Sequence, residues 1–188
     1  MTPPPGLAFV TSNEGKAREA AYFLGRPVSA VPVEIPEIQS ADFAEVARVK
    51  ALAAAAALGR AVLVEDSGLE VHAWGGFPGP MTKWLTAGPP GPAGLARMLE
   101  PFPDRRATAV SALAFARPGD RPEEVVVAVG RCEGSLAPVP RGSSGFGWDV
   151  VFIPEGDTRT WAEMSEAEKN RDSHRSRAFA ALRAILSG

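Results

Sequence analysis

The sequence predicts an α/β protein in which short apolar strands alternate with capped helices. Residues 61–64 form an unbroken apolar run, which is typical of a strand covered on both faces. A strand, a turn and a helix follow one another between residues 7 and 24, and an amphipathic helix follows Ser173. Because 188 residues make a domain of ordinary size, we expect one domain over residues 1–188, or at most two lobes on one core.

The charge balance excludes one broad class of partner. The chain has 20 basic and 22 acidic residues, for a net charge of -2, so it lacks the basic field of nucleic-acid-binding proteins. We therefore expect no polymeric nucleic acid as a partner. Cys132 is the single cysteine, which excludes an intramolecular disulfide and a cysteine-based metal site and fits a reducing compartment.

No segment has the pattern of a membrane span or a leader. The longest strongly apolar helical run, residues 51–58, is too short to cross a bilayer. Residues 1–5 lack a positively charged start and an apolar core. The sequence therefore predicts a soluble, cytoplasmic protein with no membrane partner.

The first predicted elements surround a polar turn. Residues 7–11 indicate a strand, and residues 14–24 a helix that is capped by Ser12 or Asn13 and ends at Gly25. Hydroxyls, an amide, a glycine and a lysine beside free helix N–H groups favour phosphate binding, although the Walker A spacing is absent. The residues of this turn are Thr11, Ser12, Asn13, Glu14, Gly15 and Lys16.

The next segment carries an unusual lysine. Residues 28–35 alternate with prolines, which favours an edge strand or an extended connector, and Glu37 follows. Asp42 and Glu45 have capping-box spacing for a helix that runs to about residue 58. On that helix Lys50 shares the apolar stripe, so its ammonium either extends to the surface or meets an anion in a polar cleft.

The central strand ends in two adjacent carboxylates. Successive side chains of a strand point to opposite faces, so Glu65 and Asp66 cannot both face one cleft. One is then a candidate ligand or base and the other its support, and we assign the working role to Asp66. Ser67 and Gly68 predict a sharp turn directly after the pair.

The second half of the chain combines scaffold with a glycine-rich loop. A short helix is predicted over residues 93–100, and residues 107–116 and 125–129 indicate an antiparallel hairpin without a chemical role. Residues 141–149 form the glycine-rich loop, which precedes a strand over residues 150–153. Aromatic rings between glycines, beside a carboxylate, suit stacking on a nucleobase and recognition of its edge.

The last segment predicts two helices. Ser165 and Glu168 form a capping box for a helix that contains Lys169. After Ser173 a second helix has an apolar stripe of Ala178, Phe179, Leu182, Ile185 and Leu186. Its first turn carries His174 and Arg175, where cations oppose the helix dipole, so a ligand-binding role gains weight. His72 fits a surface or structural position in a strand.

Six motifs, in order along nearly the whole chain, resemble those of the inosine triphosphate pyrophosphatase family. The resemblance implies an elongated α/β fold with a mixed twisted sheet, flanking helices and two lobes around a nucleotide cleft, assembled as a homodimer. It also implies Mg²⁺-dependent hydrolysis of ITP, dITP or XTP to the monophosphate and pyrophosphate, which cleanses the nucleotide pool. The motifs are residues 11–16, 36–39, 64–67, 75–84, 145–149 and 162–175.

The resemblance also assigns roles to residues. The turn at residues 11–15 and three lysines are implied to hold the triphosphate: Lys16, Lys50 and Lys83. Glu37 and Asp66 are implied as Mg²⁺ ligands, with Asp66 and Lys16 catalytic and Ser67 beside the substrate. The implied base pocket consists of Phe146, Gly147, Trp148, Asp149, Lys169, His174 and Arg175.

Two other functions share part of this pattern. A pyrimidine-directed pyrophosphatase of similar architecture would keep the phosphate and metal residues but use a different base pocket. Residues 145–149 and 173–175 argue against it. A non-catalytic nucleotide sensor would keep the base contacts yet could lose a metal acid, whereas Glu37 and Asp66 are both present.

The lysine content supplies a test of these assignments. The 20 basic residues comprise sixteen arginines and only four lysines, and all four lysines fall in or near the motifs. A guanidinium is larger than an ammonium and presents its donors as a planar fork. We therefore expect Lys16→Arg to lower turnover and Lys169→Arg to weaken substrate binding in steady-state assays, whereas the control Arg60→Lys has no effect. Full activity of the lysine variants would show that these positions do not require an ammonium group and that the lysines occur there by chance.

Overall fold

The chain forms a mixed sheet with flanking helices in a computed structural model that describes residues 7–187. Within those residues the sheet has seven strands. The strands are β1 (Ala8–Val10), β2 (Ser29–Val31), β3 (Val62–Val71), β4 (Pro78–Gly79), β5 (Arg106–Ala116), β6 (Val126–Leu136) and β7 (Phe152–Pro154). The α-helices are α1 (Glu14–Leu24), α2 (Phe43–Leu58), α3 (Thr82–Thr86), α4 (Gly91–Met98), α5 (Glu166–Arg171) and α6 (His174–Ser187).

The strand order confirms the predicted α/β class. The strands lie in the order β2-β1-β3-β5-β6-β7, and β4 pairs with β3 off this path. β1 pairs in parallel with both β2 and β3, so that Phe9 stands opposite Ala30 on one side and Leu63 on the other. The β3–β4 and β6–β7 pairs are antiparallel. β2 lies at the edge of the sheet, which is one of the two alternatives predicted for residues 28–35, although only residues 29–31 form the strand.

The described residues divide into two compact units. Unit 1 takes its residues from the ranges 1–66, 111–130 and 175–188, and unit 2 takes the remainder, from 67–110 and 131–174. Each unit has its own apolar core, and large fully buried side chains lie at the centre of both. They include Phe9, Leu63, Leu113 and Phe179 in unit 1, and Leu69, Leu95, Phe152 and Trp161 in unit 2.

The predicted helices of unit 1 form, with one difference in capping. Asn13 caps α1 by accepting a hydrogen bond at Oδ1 from the Lys16 N–H, 3.0 Å away. Asp42 caps α2 through the N–H of Ala44 at 2.8 Å. Glu45 does not complete the predicted capping box, because its carboxylate accepts the Ser40 hydroxyl at 2.5 Å instead.

The prediction of a sharp turn directly after the two central carboxylates is wrong. β3 continues through Ser67 and Gly68 as far as Val71. A Cβ atom at Gly68 would lie 2.3 Å from the carbonyl oxygen of Gly79 and 2.6 Å from Oγ1 of Thr82. The glycine therefore allows a close approach of another segment to a straight strand, a contact that local sequence does not reveal.

The strands predicted in the scaffold also extend further than expected. β5 and β6 are neighbours in the sheet, as the hairpin prediction requires, but β6 runs seven residues beyond residue 129. Buried and exposed positions continue to alternate there, with Cys132 and Leu136 buried. His72 begins a short 3₁₀ turn instead of standing in a strand, and the helix α3 was not predicted.

The two C-terminal helices follow their sequence signals. Ser165 and Glu168 form the reciprocal capping box: the Glu168 N–H donates to Oγ at 3.3 Å and the Ser165 N–H donates to Oε2 at 2.9 Å. Ala178, Phe179 and Leu182 are buried as predicted. Ile185 is half exposed, so the apolar stripe of α6 fades towards its end.

The helices of the described region are all too short or too polar for a membrane span. This finding covers residues 7–187. The leader prediction concerned residues 1–5, which lie outside the described residues.

The buried hydroxyl of Thr82 offers a test of how β3 is held in unit 2. Its Oγ1 accepts the Leu69 N–H at 2.8 Å and donates to the Gly79 carbonyl at 2.7 Å. The isosteric change Thr82→Val leaves both backbone groups unpaired, so we expect the free energy of unfolding to fall by about 1–3 kcal/mol in urea titrations. Thr82→Ser keeps the hydroxyl and should lose less. A valine variant as stable as the parent would contradict this role.

Candidate functional site

Three segments of unit 1 meet at the ammonium of Lys50. This lysine lies on α2, and its Nζ is 2.5 Å from Oε1 of Glu37 and 3.5 Å from Oδ1 of Asp66. Glu37 belongs to the connection before α2, and Asp66 to β3. Of the two predicted alternatives, Lys50 therefore meets anions in a polar setting. The two carboxylates assigned to a metal converge on a single positive charge.

Asp66 is held in an environment that opposes its charge. The residue is buried, and its Oδ2 has no hydrogen-bond partner among residues 7–187. Burial raises the pKa of the Asp66 carboxyl to about 6, although the nearby ammonium groups of Lys16 and Lys50 oppose the shift. At neutral pH the group is thus an ionised carboxylate of unusual basicity with one uncommitted oxygen.

Lys16 is also held in a medium that disfavours its charged form. Burial of its ammonium lowers the pKa, and the neighbouring carboxylates of Glu65 and Asp66 partly offset that effect. The charged form of such a group is stabilised by any further anion that approaches it. Lys16 lies in the first turn of α1, whose N-terminal dipole also favours negative charge.

The turn before α1 uses its acceptor atoms internally. Oγ1 of Thr11 accepts the Asn13 N–H at 3.0 Å, and Oδ1 of Asn13 accepts the Lys16 N–H at the same distance. These bonds leave the Thr11 hydroxyl hydrogen and the Asn13 amide hydrogens as donors. Ser12, Asn13 and Glu14 are exposed, so the turn presents donors to solvent, as an anion site requires.

The carboxylates of Glu37 and Asp66 suit a Mg²⁺ ion that also binds water and substrate more than a metal ion held by protein ligands alone. Among residues 7–187 no three histidine, cysteine, aspartate or glutamate side chains form a cluster that could hold a metal ion. Mg²⁺ prefers oxygen ligands and is commonly held by one or two carboxylates together with water and substrate phosphates. Glu37 and Asp66, with the uncommitted Oδ2, match that donor set.

A buried ion network lies beside this group in unit 1. Arg175 on α6 donates from Nε to Oε1 of Glu65 at 2.9 Å, and its Nη1 bonds the carboxylate of Glu19 on α1. Ser111 on β5 donates to the same Oε1 of Glu65 at 2.8 Å. Glu65 and Asp66 therefore have different partners, as the alternation of a strand predicts.

Part of this network lies outside the sequence motifs. Neither Glu19 nor Ser111 belongs to a motif, and the hairpin that contains Ser111 is predicted to be scaffold alone. Glu19 carried a usable signal, because it occupies the buried face of α1 together with Ala20 and Phe23. A carboxylate at such a position needs a buried cation as its partner. Ser111 carried no comparable signal in an apolar strand.

Arg175 lies in unit 1 with these carboxylates, while most of the predicted base-pocket residues lie in unit 2. The guanidinium is almost fully buried and bonds Glu19 and Glu65. Its role at the base stays a prediction. The contacts observed are those of a buried ion network.

The remaining base-pocket residues form an aromatic group in unit 2. The Lys169 ammonium lies 4.7 Å from the ring centroid of Phe146 and 5.4 Å from that of Trp161. Trp161 stacks on His174, with centroids 5.0 Å apart and planes 17° from parallel, and Trp148 lies 5.6 Å from Trp161. Trp161 thus connects the group, although it lies outside the six motifs.

Asp149 joins the glycine-rich loop to α5. Its Oδ2 accepts the Phe146 N–H at 2.9 Å and the Lys169 ammonium at 2.6 Å. A Cβ atom at Gly145 would lie 2.2 Å from that same oxygen, and Gly145 has a φ of 72°. Only glycine fits both the backbone angle and the space there. Asp149 and Lys169 are buried, whereas Gly147 is exposed.

The other predicted residues of unit 2 have separate surroundings. Lys83 lies on α3, is exposed, and has its ammonium 5.1 Å from the ring centroid of Trp84. Ser67 is half-buried in β3. Their predicted contacts with substrate stay predictions.

The chain is similar to proteins of one family. Residues 7–185 match the sequence model of the Ham1 family. Inosine triphosphate pyrophosphatase 2 of Trypanosoma cruzi is 44% identical over 181 residues, which cover 95% of this chain and 90% of that protein. The dITP/XTP pyrophosphatase of Methanopyrus kandleri is 40% identical over 176 residues, 92% of each chain. The solved structure of the Staphylococcus aureus Ham1 protein has a TM-score of 0.77 at 30% identity, covering 97% of this chain and 98% of that one.

The raised pKa of Asp66 predicts how stability depends on pH in metal-free buffer. The carboxyl titrates near 3.8 in the unfolded chain and at about 6 in the folded one. Between these values the folded state binds more protons, so the contribution of Asp66 is greatest at the acid end and is lost as the pH rises. Between pH 4 and pH 7 the unfolding free energy of the parent should therefore fall by about 2 kcal/mol relative to that of Asp66→Asn.

The measurement is urea unfolding of both proteins with a chelator at several pH values. The difference between the two proteins isolates Asp66 from the other titrating groups. A difference that is constant across this range would show that the carboxyl titrates normally.

Proposed function

The chain belongs to the Ham1 family, and from this premise we propose that it hydrolyses non-standard purine nucleoside triphosphates, such as ITP, dITP and XTP, to the monophosphate and pyrophosphate. The names of relatives at 40–44% identity support this substrate class. One geometric observation carries the proposal: Glu37 and Asp66 converge on one cation in unit 1, with Lys16 near Asp66.

The proposed reaction is an in-line displacement at the α-phosphorus. A water oxygen forms a bond to the α-phosphorus, and the bond from that phosphorus to the α,β-bridging oxygen breaks. The water gives up a proton, and pyrophosphate leaves with the bonding electrons. Little covalent chemistry is required of the protein, so positioning and charge neutralisation supply most of the rate enhancement.

The residues of unit 1 divide these tasks. Asp66 is ionised at neutral pH, and its Oδ2 has no hydrogen-bond partner among residues 7–187, so this carboxylate can position the attacking water or accept its proton. Lys16 and the donors of the turn at residues 11–15 neutralise and orient the phosphates. Glu37 and Asp66 would hold Mg²⁺, which when bound adds positive charge beside the phosphates.

The aromatic group of unit 2 suits the base. Phe146 and Trp148 offer ring faces for stacking, and both are partly exposed. Asp149 and Lys169 neutralise each other at 2.6 Å, so the group carries little net charge and favours a neutral purine. We extend the proposal to a cytoplasmic homodimer that acts on the nucleotide pool, as the family resemblance implies.

Product analysis tests the function directly. We expect ITP and water to give IMP and pyrophosphate in a reaction that stops when a chelator removes Mg²⁺. Asp66→Asn should retain the fold but lose turnover by about 100-fold or more, because an amide is a poor metal ligand and no base. Ion-exchange chromatography of the products separates pyrophosphate from orthophosphate.

A matched control is Glu34→Gln, which removes an exposed carboxylate from the segment that carries Glu37 and should leave turnover unchanged. Release of IDP and orthophosphate would place cleavage at another phosphorus and refute the mechanism. A folded Asp66→Asn protein with normal turnover would exclude Asp66 from the reaction.

A further inference from the structure

Asn170 is a buried amide that the fold of the described residues does not use. It lies on α5 with only 3% of its surface exposed. Neither Oδ1 nor Nδ2 has a hydrogen-bond partner among residues 7–187. Leaving a buried polar group unpaired costs about 1–3 kcal/mol, and buried side-chain amides in native proteins are nearly always paired. The free protein therefore carries a destabilising group at this position.

The composition makes this amide more notable. The chain contains only three side-chain amides, Asn13, Gln39 and Asn170. Asn13 has a local structural task as the cap of α1. A leucine of similar size at position 170 would avoid the unpaired atoms. A polar side chain kept at such a site is expected to have its partner in a bound molecule.

The residues on either side of Asn170 in the sequence contact the aromatic group of unit 2. The preceding residue, Lys169, contacts Asp149, Phe146 and Trp161, and His174 four positions later stacks on Trp161. Asn170 thus lies in the chain between two members of the aromatic group of unit 2. That group contains rings for stacking and a cation already neutralised by Asp149, which favours a base over a phosphate.

The chemistry of the amide narrows the choice further. An amide presents one acceptor and one donor side by side. A phosphate offers only acceptors and would leave Oδ1 unpaired. The 6-oxopurines hypoxanthine and xanthine present the O6 acceptor beside the N1–H donor, so one amide can satisfy both atoms and be satisfied at both of its own.

We infer that Asn170 is a specificity-determining residue that hydrogen-bonds the O6 and N1–H edge of the purine. The inference rests on the proposed function. Nδ2 donates to O6, and Oδ1 accepts from N1–H. The amide is unpaired in the free protein and paired in the complex, so the cost of burying it is recovered only when a base with this edge is bound.

The test compares two substrates that differ only at this edge. Purine riboside triphosphate has the ring, ribose and phosphates of ITP but lacks O6 and N1–H. For Asn170→Leu we expect kcat/KM for ITP to fall by about 10- to 100-fold, and that for purine riboside triphosphate to change by less than about threefold. The ratio of the kcat/KM values for the two substrates measures the contact with the edge, because general losses of activity affect both values equally.

Thermal unfolding of the same variants provides a readout independent of turnover. Because leucine removes two unpaired polar atoms, the Tm of ligand-free Asn170→Leu should equal or exceed that of the parent, while the Tm increase produced by IMP should shrink. Asn170→Ala serves as a second variant in case leucine does not fit. Arg171→Ala, on the exposed side of α5, is the control and should change neither measurement.

Each outcome decides the question. Equal losses on both substrates, or no loss on either, would overturn the role at the base edge. The variant could instead change the ratio of kcat/KM for ITP to that for dITP and leave the ratio for ITP to purine riboside triphosphate unchanged. That result would show that Asn170 contacts the ribose and not the base edge. A large fall of Tm in both variants would show a structural partner for the amide. Failure of the parent protein to hydrolyse ITP would instead contradict the proposed function itself.

Discussion

The burial of Arg175 between two carboxylates is the constraint on which unit 1 depends. A guanidinium that is almost fully removed from water must be paired, and here Glu19 and Glu65 pair with it. These contacts join α6, α1 and β3, and Ser111 adds β5 through Glu65. Removing one partner of a buried pair leaves an uncompensated charge and typically costs about 3–5 kcal/mol. The network therefore defines how the helices pack on the sheet.

The same constraint sets the surroundings of the neighbouring carboxylate, Asp66. With Glu65 bonded to Ser111 and Arg175, the strand directs Asp66 to the opposite side, where Lys50 meets it. Glu65, which has a structural role, thus stands next in the strand to Asp66, for which we propose a functional one. Unit 2 uses a smaller version of this arrangement, in which the buried Asp149 holds both Lys169 and the backbone of Phe146. In both units a buried ion pair orients groups that are themselves suited to a ligand.

The elements that the sequence predicted well are those governed by local interactions. The caps at Asn13, Asp42 and Ser165 depend on residues within three positions, and all three form. The length of β3 was not predictable, because the close approach to Gly68 comes from Gly79 and Thr82, which are distant in sequence.

For the site as well, the sequence identified residues but did not show how they are grouped in space. Motif resemblance named the residues that converge on Lys50 and most of the aromatic group around Trp161. It could not show that Arg175 bonds Glu19 and Glu65, since that depends on how α6 packs against α1 and β3. Nor could it reveal that the buried amide of Asn170 lacks a hydrogen-bond partner among residues 7–187, which is a property of three-dimensional burial.

The distribution of lysines has a practical consequence for anyone who modifies this protein chemically. Reagents that acylate or methylate amines have four side-chain targets, of which Lys83 is exposed and Lys169 is buried. We propose that all four contact the substrate, so non-selective biotinylation or surface coupling through amines would modify proposed substrate positions wherever the amine is accessible. The one thiol, at Cys132, is buried and offers no alternative. Immobilisation through the carboxylates of exposed residues such as Glu34 or Glu100 would leave every lysine intact.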